Sequence, residues 1–98
     1  MGRASRPKPL RLTEKLIEIR KALGASQNEL LRRMGLQDQH LREEISDFER
    51  GKRIPPLPVL LAYARTVNVY VDALIDDDLD LPETLPSKSR SAGLKRKR

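Results

Sequence analysis

Ninety-eight residues with a formal net charge of +6 and no cysteine leave room for one small core and offer neither a disulfide framework nor a thiolate metal site. Half of the basic residues sit at the ends, four in 1–11 and six in 84–98, and neither end holds an acid. The middle, 12–83, has ten bases against fourteen acids, a net −4, so bulk charge does not by itself mark it as a nucleic-acid surface.

Along the chain, apolar residues from Leu12 to Ile75 recur at helical spacing and almost nothing alternates as a strand does, which predicts an all-α fold. A first helix is expected over 13–23, with Thr13 as N-cap, a stripe of Leu12, Leu16, Ile19 and Leu23, and Gly24 as terminator. Ser26-Gln27-Asn28-Glu29 reads as a capping box opening a second helix that runs through Leu30, Leu31 and Met34 to Gly35.

A third stripe, Leu41, Ile45 and Phe48, ends at Gly51. After Pro55-Pro56, the residues Leu57, Leu60, Leu61, Ala64 and Val67 mark a fourth helix, closed by Asn68, which tolerates the left-handed conformation. Val71, Leu74 and Ile75 suggest a short fifth helix, and beyond about Pro86 the Ser-, Gly-, Lys- and Arg-rich chain is expected to be disordered.

No run approaches the roughly 18 apolar residues of a membrane span, and Met1–Arg11 lacks the apolar stretch of a secretion signal. The expected organisation is a basic arm (1–11), a soluble, intracellular domain (12–83) and a basic tail (84–98). The aspartates at 76, 77, 78 and 80 lack the glycine and spaced glutamate of a calcium loop and read as a solvated helix end. Without a nucleophile, metal or phosphate-cradling pattern, neither an enzyme nor a cofactor is expected.

Four stretches in order carry a resemblance: Ile19-Arg20-Lys21-Ala22-Leu23-Gly24, Ser26-Gln27-Asn28-Glu29-Leu30, Ile45-Ser46-Asp47-Phe48-Glu49-Arg50-Gly51-Lys52-Arg53, and Leu60-Leu61-Ala62-Tyr63-Ala64. Together they resemble the Cro and phage-repressor (Xre) family of helix-turn-helix regulators, over roughly residues 13–76. The resemblance implies a compact five-helix, lambda-repressor-like bundle with its helix-turn-helix at about 26–50. It implies a cytoplasmic transcription factor of bacterial or phage type, associated with the nucleoid, that binds duplex DNA as a homodimer, with repression as the expected outcome. The resemblance leaves any small-molecule effector unknown.

In this family the second helix of the motif enters the major groove. Counting back from Glu49 puts the base-reading positions on Arg42, Glu43 and Asp47, flanked by Glu44 and Ser46. An arginine there suits guanine and a carboxylate suits a cytosine amino group, while a purely solvated role for Glu43 and Glu44 stays open. The resemblance also places Arg50, Lys52 and Arg53 against phosphates, Gln27 near a phosphate or bracing the reading helix, and Arg20 with Glu49 in a structural ion pair.

One departure stands out, because Gly35 and Glu49 are fourteen positions apart, about four more than family members usually have. Four residues add about one helical turn and preserve the stripe. They either start the reading helix near Gln39, the arrangement expected here, or form a longer loop capped by Asp38. In the longer helix Gln39 would read adenine and His40 a guanine or phosphate, though a lone exposed histidine is often an ordinary surface residue.

The basic ends are expected to follow phosphates or to enter the minor groove as arms. The rival reading is a protein-interaction module of the same fold, antitoxin-like or an adaptor, presenting the acidic middle to a partner.

Overall fold

The structure is a computed structural model that describes residues 9–91. It is all-helical, with α1 Leu12–Leu23, α2 Gln27–Met34, α3 Arg42–Glu49, α4 Leu57–Thr66 and α5 Asp72–Ile75. Helix α1 packs on α3 and α5, α2 packs on α3 and α4, and α4 closes against α5. Leu16, Ile19, Leu30, Ile45, Phe48, Val59, Tyr63 and Leu74 fill the shared core. No helix among the described residues is long and apolar enough to cross a membrane.

Thr13 is not the cap of α1, since the helix begins one residue before it and Arg11 occupies the N-cap position without a side-chain capping bond. The chain entering the helix is held from across the fold instead. The Asp77 carboxylate accepts from the backbone N–H of Leu10 at 2.9 Å and of Arg11 at 3.0 Å.

Arg11 completes the clasp, donating to Asp80 at 2.7 Å, to Glu14 at 3.2 Å and to the carbonyls of Asp77 and Leu79. Two of the four aspartates are therefore structural partners of α1 and not a solvated helix end. Of the basic arm, Arg3, Arg6 and Lys8 lie outside the described residues.

The two backbone donors hold the Asp77 carboxyl below the usual carboxylate range. A carboxylate whose pKa is lower folded than unfolded stabilises above its unfolded pKa, and that stabilisation is lost as pH falls through the folded value. Thermal melts of the wild type and Asp77→Ala should therefore differ most at neutral pH, with the gap closing as the solution is acidified.

Helix α2 opens on the capping box: Ser26 Oγ accepts from the Glu29 N–H, and Glu29 accepts from the Ser26 N–H, both at 3.1 Å. Gly24 and Gly35 end α1 and α2 in the left-handed region, at φ 63° and 72°. Asn68 follows α4 at φ 58°.

Three expectations are corrected. Leu41 is 65% exposed, because Leu36 packs against the edge of the core in its place. In α4 the inward positions are Val59, Leu60, Tyr63 and Ala64, whereas Leu57 and Leu61 face outward at 76% and 39% exposure. Packing also continues past Pro86: the Ser87 N–H donates to the Val67 carbonyl, the Asn68 amide donates to the Ser87 carbonyl, and Ser87 is buried. The Arg90 guanidinium lies 5.7 Å from the centre of the Tyr70 ring, and Lys95, Arg96, Lys97 and Arg98 lie outside the described residues.

Candidate nucleic-acid interface

The α2–turn–α3 unit is held in place at one buried carboxylate. Glu49, at the C-terminal end of α3, receives Arg20 Nε at 2.7 Å and Nη2 at 3.0 Å, a two-pronged pair joining α1 to α3. Arg20 Nη1 also donates to the Ala25 carbonyl at 3.2 Å, and Gln27 Nε2 donates to Glu49 Oε1 at 3.2 Å. The start of α2 and the end of α3 are thus bound to one another through Gln27, which is turned inward to this knot.

Beside the knot lies Tyr63, fully buried, whose hydroxyl finds no hydrogen-bond partner among the described residues. Burial pushes its phenol pKa up. An unsatisfied buried hydroxyl costs on the order of 1–3 kcal/mol, so Tyr63→Phe should leave stability unchanged or raise it. Urea unfolding of the two proteins checks this, and a loss of stability would point to a bonded hydroxyl.

The connection into α3 differs from the longer helix expected from the sequence. The amides of Gln39 and His40 both donate to the Leu36 carbonyl at 2.9 Å, folding 36–40 into a turn, and α3 begins only at Arg42. Gln39 and His40 therefore lie on the approach to α3 and add no helical turn. Asp38 is exposed in this turn and does not cap the helix.

Glu44 performs that task. Its Oε1 accepts from the Leu41 N–H at 2.8 Å and lies 3.2 Å from His40 Nδ1, while its Oε2 is 3.6 Å from Arg53. The Leu41 N–H holds the Glu44 carboxyl below the usual range.

With Ile45, Phe48 and Glu49 facing inward, α3 presents Arg42, Glu43, Ser46, Asp47 and Arg50 on its outer side. Lys52 and Arg53 follow its end, their amides bonded to the Asp47 carbonyl. The acids that look out of place on such a surface each face a cation: Glu43 lies 3.8 Å from Arg42, and Asp47 lies 3.4 Å from Arg50.

Exposed pairs of this kind are worth little and exchange readily. The outer side is thus a row of guanidiniums held by weak, replaceable partners. The Glu44–Arg53 contact was not accessible to pattern reading, since it joins the first turn of α3 to a residue beyond the helix end.

A helix-turn-helix family model matches residues 16–74, from the first turns of α1 into α5. No curated protein and no solved structure matches the chain. The matched stretch includes the Glu49 knot, the turn at 36–40 and the whole outer side of α3.

Proposed function

Because the chain belongs to the helix-turn-helix family of DNA-binding regulators, of the Xre and lambda-repressor-like type, we propose that it reads duplex DNA by laying the outer side of α3 in the major groove. The observation that carries this reading is the division of labour along α3. Ile45, Phe48 and Glu49 fix the helix to the bundle, while Arg42, Glu43, Ser46, Asp47 and Arg50 take no part in the core.

Arg42, in the first turn, is suited to bidentate bonding to guanine, and Glu43 or Asp47 to a cytosine amino group, Glu43 once Arg42 has turned to its guanine and Asp47 once Arg50 has turned to a phosphate. Ser46 lies between them. Arg50, Lys52 and Arg53 at the far end are suited to the backbone, giving register without sequence information. Gln39 and His40 approach the groove from the turn, where His40 steadies α3 through Glu44.

One eight-residue helix contacts too few base pairs for a regulator's specificity, so we infer a homodimer on a two-fold symmetric site, acting as a repressor in a bacterial or phage cytoplasm, on the nucleoid. The match to a helix-turn-helix family and the arginines along the outer side of α3 favour DNA as the partner over an antitoxin-like or adaptor role.

Selection of bound sequences from random duplex DNA at physiological salt tests the reading. A two-fold symmetric motif is expected, and Arg42→Ala should relax preference at one guanine in each half-site by about 1–3 kcal/mol. Absence of any enriched motif, or a motif unchanged in Arg42→Ala, overturns it.

A further inference from the structure

Away from the outer side of α3, helices α2 and α4 frame an open groove of about 430 Å³, lined by Arg33, Met34, Pro58, Leu61, Ala62 and Arg65. Its apolar strip extends beyond the groove itself. Leu57, one turn before Leu61, is 76% exposed, so Leu57, Leu61 and Arg65 follow one another at four-residue steps along the open side of α4. Leu57 and Leu61 thus continue the apolar lining of the groove along the open side of α4.

The charges on the groove walls narrow the choice of occupant. Arg11, Arg20, Arg42, Arg50 and Arg53 each contact an acid. Arg33 and Arg65, on opposite walls of the groove, are exposed and form no ion pair among the described residues. Two uncompensated guanidiniums beside a leucine strip call for an occupant that is acidic and apolar at once.

Three alternatives fit less well. A phosphate backbone would satisfy the arginines and gain nothing from Leu57 and Leu61. A second copy packed about a two-fold axis through the groove would set Arg33 and Arg65 against their own equivalents. The chain's own basic ends carry the wrong sign.

We propose that the α2–α4 groove is a second binding surface, separate from the reading side of α3, that receives an acidic amphipathic helix from a partner protein. Leucine-type anchors of that helix cover Leu57, Leu61 and Met34, and its flanking carboxylates meet Arg33 and Arg65 in charge-assisted bonds. A DNA-bound regulator with such a groove can engage a protein without releasing its operator.

The probe is a synthetic helical peptide of about sixteen residues with leucines at i, i+4 and i+7 and glutamates beside them, titrated into the isotope-labelled full chain. Saturable shifts at Met34, Leu61 and Ala62 are expected, with affinity falling roughly tenfold or more in Arg33→Gln/Arg65→Gln. The same peptide with lysine for glutamate should not bind. The double variant should keep its affinity for operator DNA.

Three results overturn the proposal: no saturable shift up to about millimolar peptide, equal binding of the lysine peptide, or unchanged peptide affinity in the double variant. Loss of DNA affinity in the double variant overturns it as well, by making the groove a phosphate contact. None of these results bears on whether α3 reads bases, so the two readings fail separately.

Discussion

Glu49→Ala should lower the stability of the domain by about 3–5 kcal/mol, because it leaves the Arg20 guanidinium facing a low-dielectric interior without its anion. The lower end of that range is expected, since the Arg20 side chain keeps 24% of its surface in solvent while Glu49 keeps 7%. A domain of this size shifts its melting temperature by about 4–8 °C per kcal/mol, so the midpoint should drop by at least about 12 °C.

Arg20→Leu should cost a comparable amount, by stranding the carboxylate. Arg20→Leu with Glu49→Ala should cost less than the two single changes added together, because no buried charge is then left without a partner. Additive losses would mean that the two residues act independently and that the knot is not the joint between α1 and α3. As Gln27 bonds to the same carboxylate, the single variants should also lose DNA affinity at temperatures where they remain folded.

The other large effect is expected at Lys15, which is 1% exposed. Its ammonium donates to three backbone carbonyls, Ala73 at 2.8 Å, Asp76 at 3.0 Å and Leu79 at 2.8 Å. These belong to α5 and the turn after it, where carbonyls have no helical partner left. Burial lowers the lysine pKa, with the nearby Arg11 charge acting the same way.

Lys15→Ala removes both the packed stem and all three donors, and should cost about 3–4 kcal/mol. Lys15→Met keeps the stem, so its smaller loss, about 2 kcal/mol, isolates the bonds to the carbonyls. Urea unfolding of the three proteins separates the two contributions. A Met variant as stable as wild type would show that water replaces the ammonium at no cost.

What could be read from the sequence was what residues decide locally. The Ser26–Glu29 box, the glycines closing α1 and α2, and the left-handed Asn68 are each set within a few positions of the chain, and the family pattern spans all of them. The outer side of α3 could be located because helical periodicity points Ile45 and Phe48 inward.

The misreadings arise where two residues compete for one place or where the partner is distant. Leu36 and Leu41 both suit the edge of the core, and only the folded turn shows that Leu36 takes it. Val59 and Tyr63 displace Leu57 and Leu61 because α4 is rotated by its contacts with α2 and α5, which an apolar count does not encode. Lys15 lies between Leu12 and Leu16 on the buried stripe, a position that could have flagged it, but its carbonyl partners are 58 or more residues away. The same distance hides the role of Asp77.

That clasp also changes where the domain ends. A fragment stopping at Ile75 would contain every helix, yet it would lack the carboxylate that holds the chain entering α1, the anion that holds Arg11 and two of the three carbonyls that receive Lys15. The minimal autonomous unit therefore runs to at least Asp80. Its first and last turns are bonded directly to each other, which makes the bundle a closed circuit and not a row of helices, and trimming one end strips partners from the other.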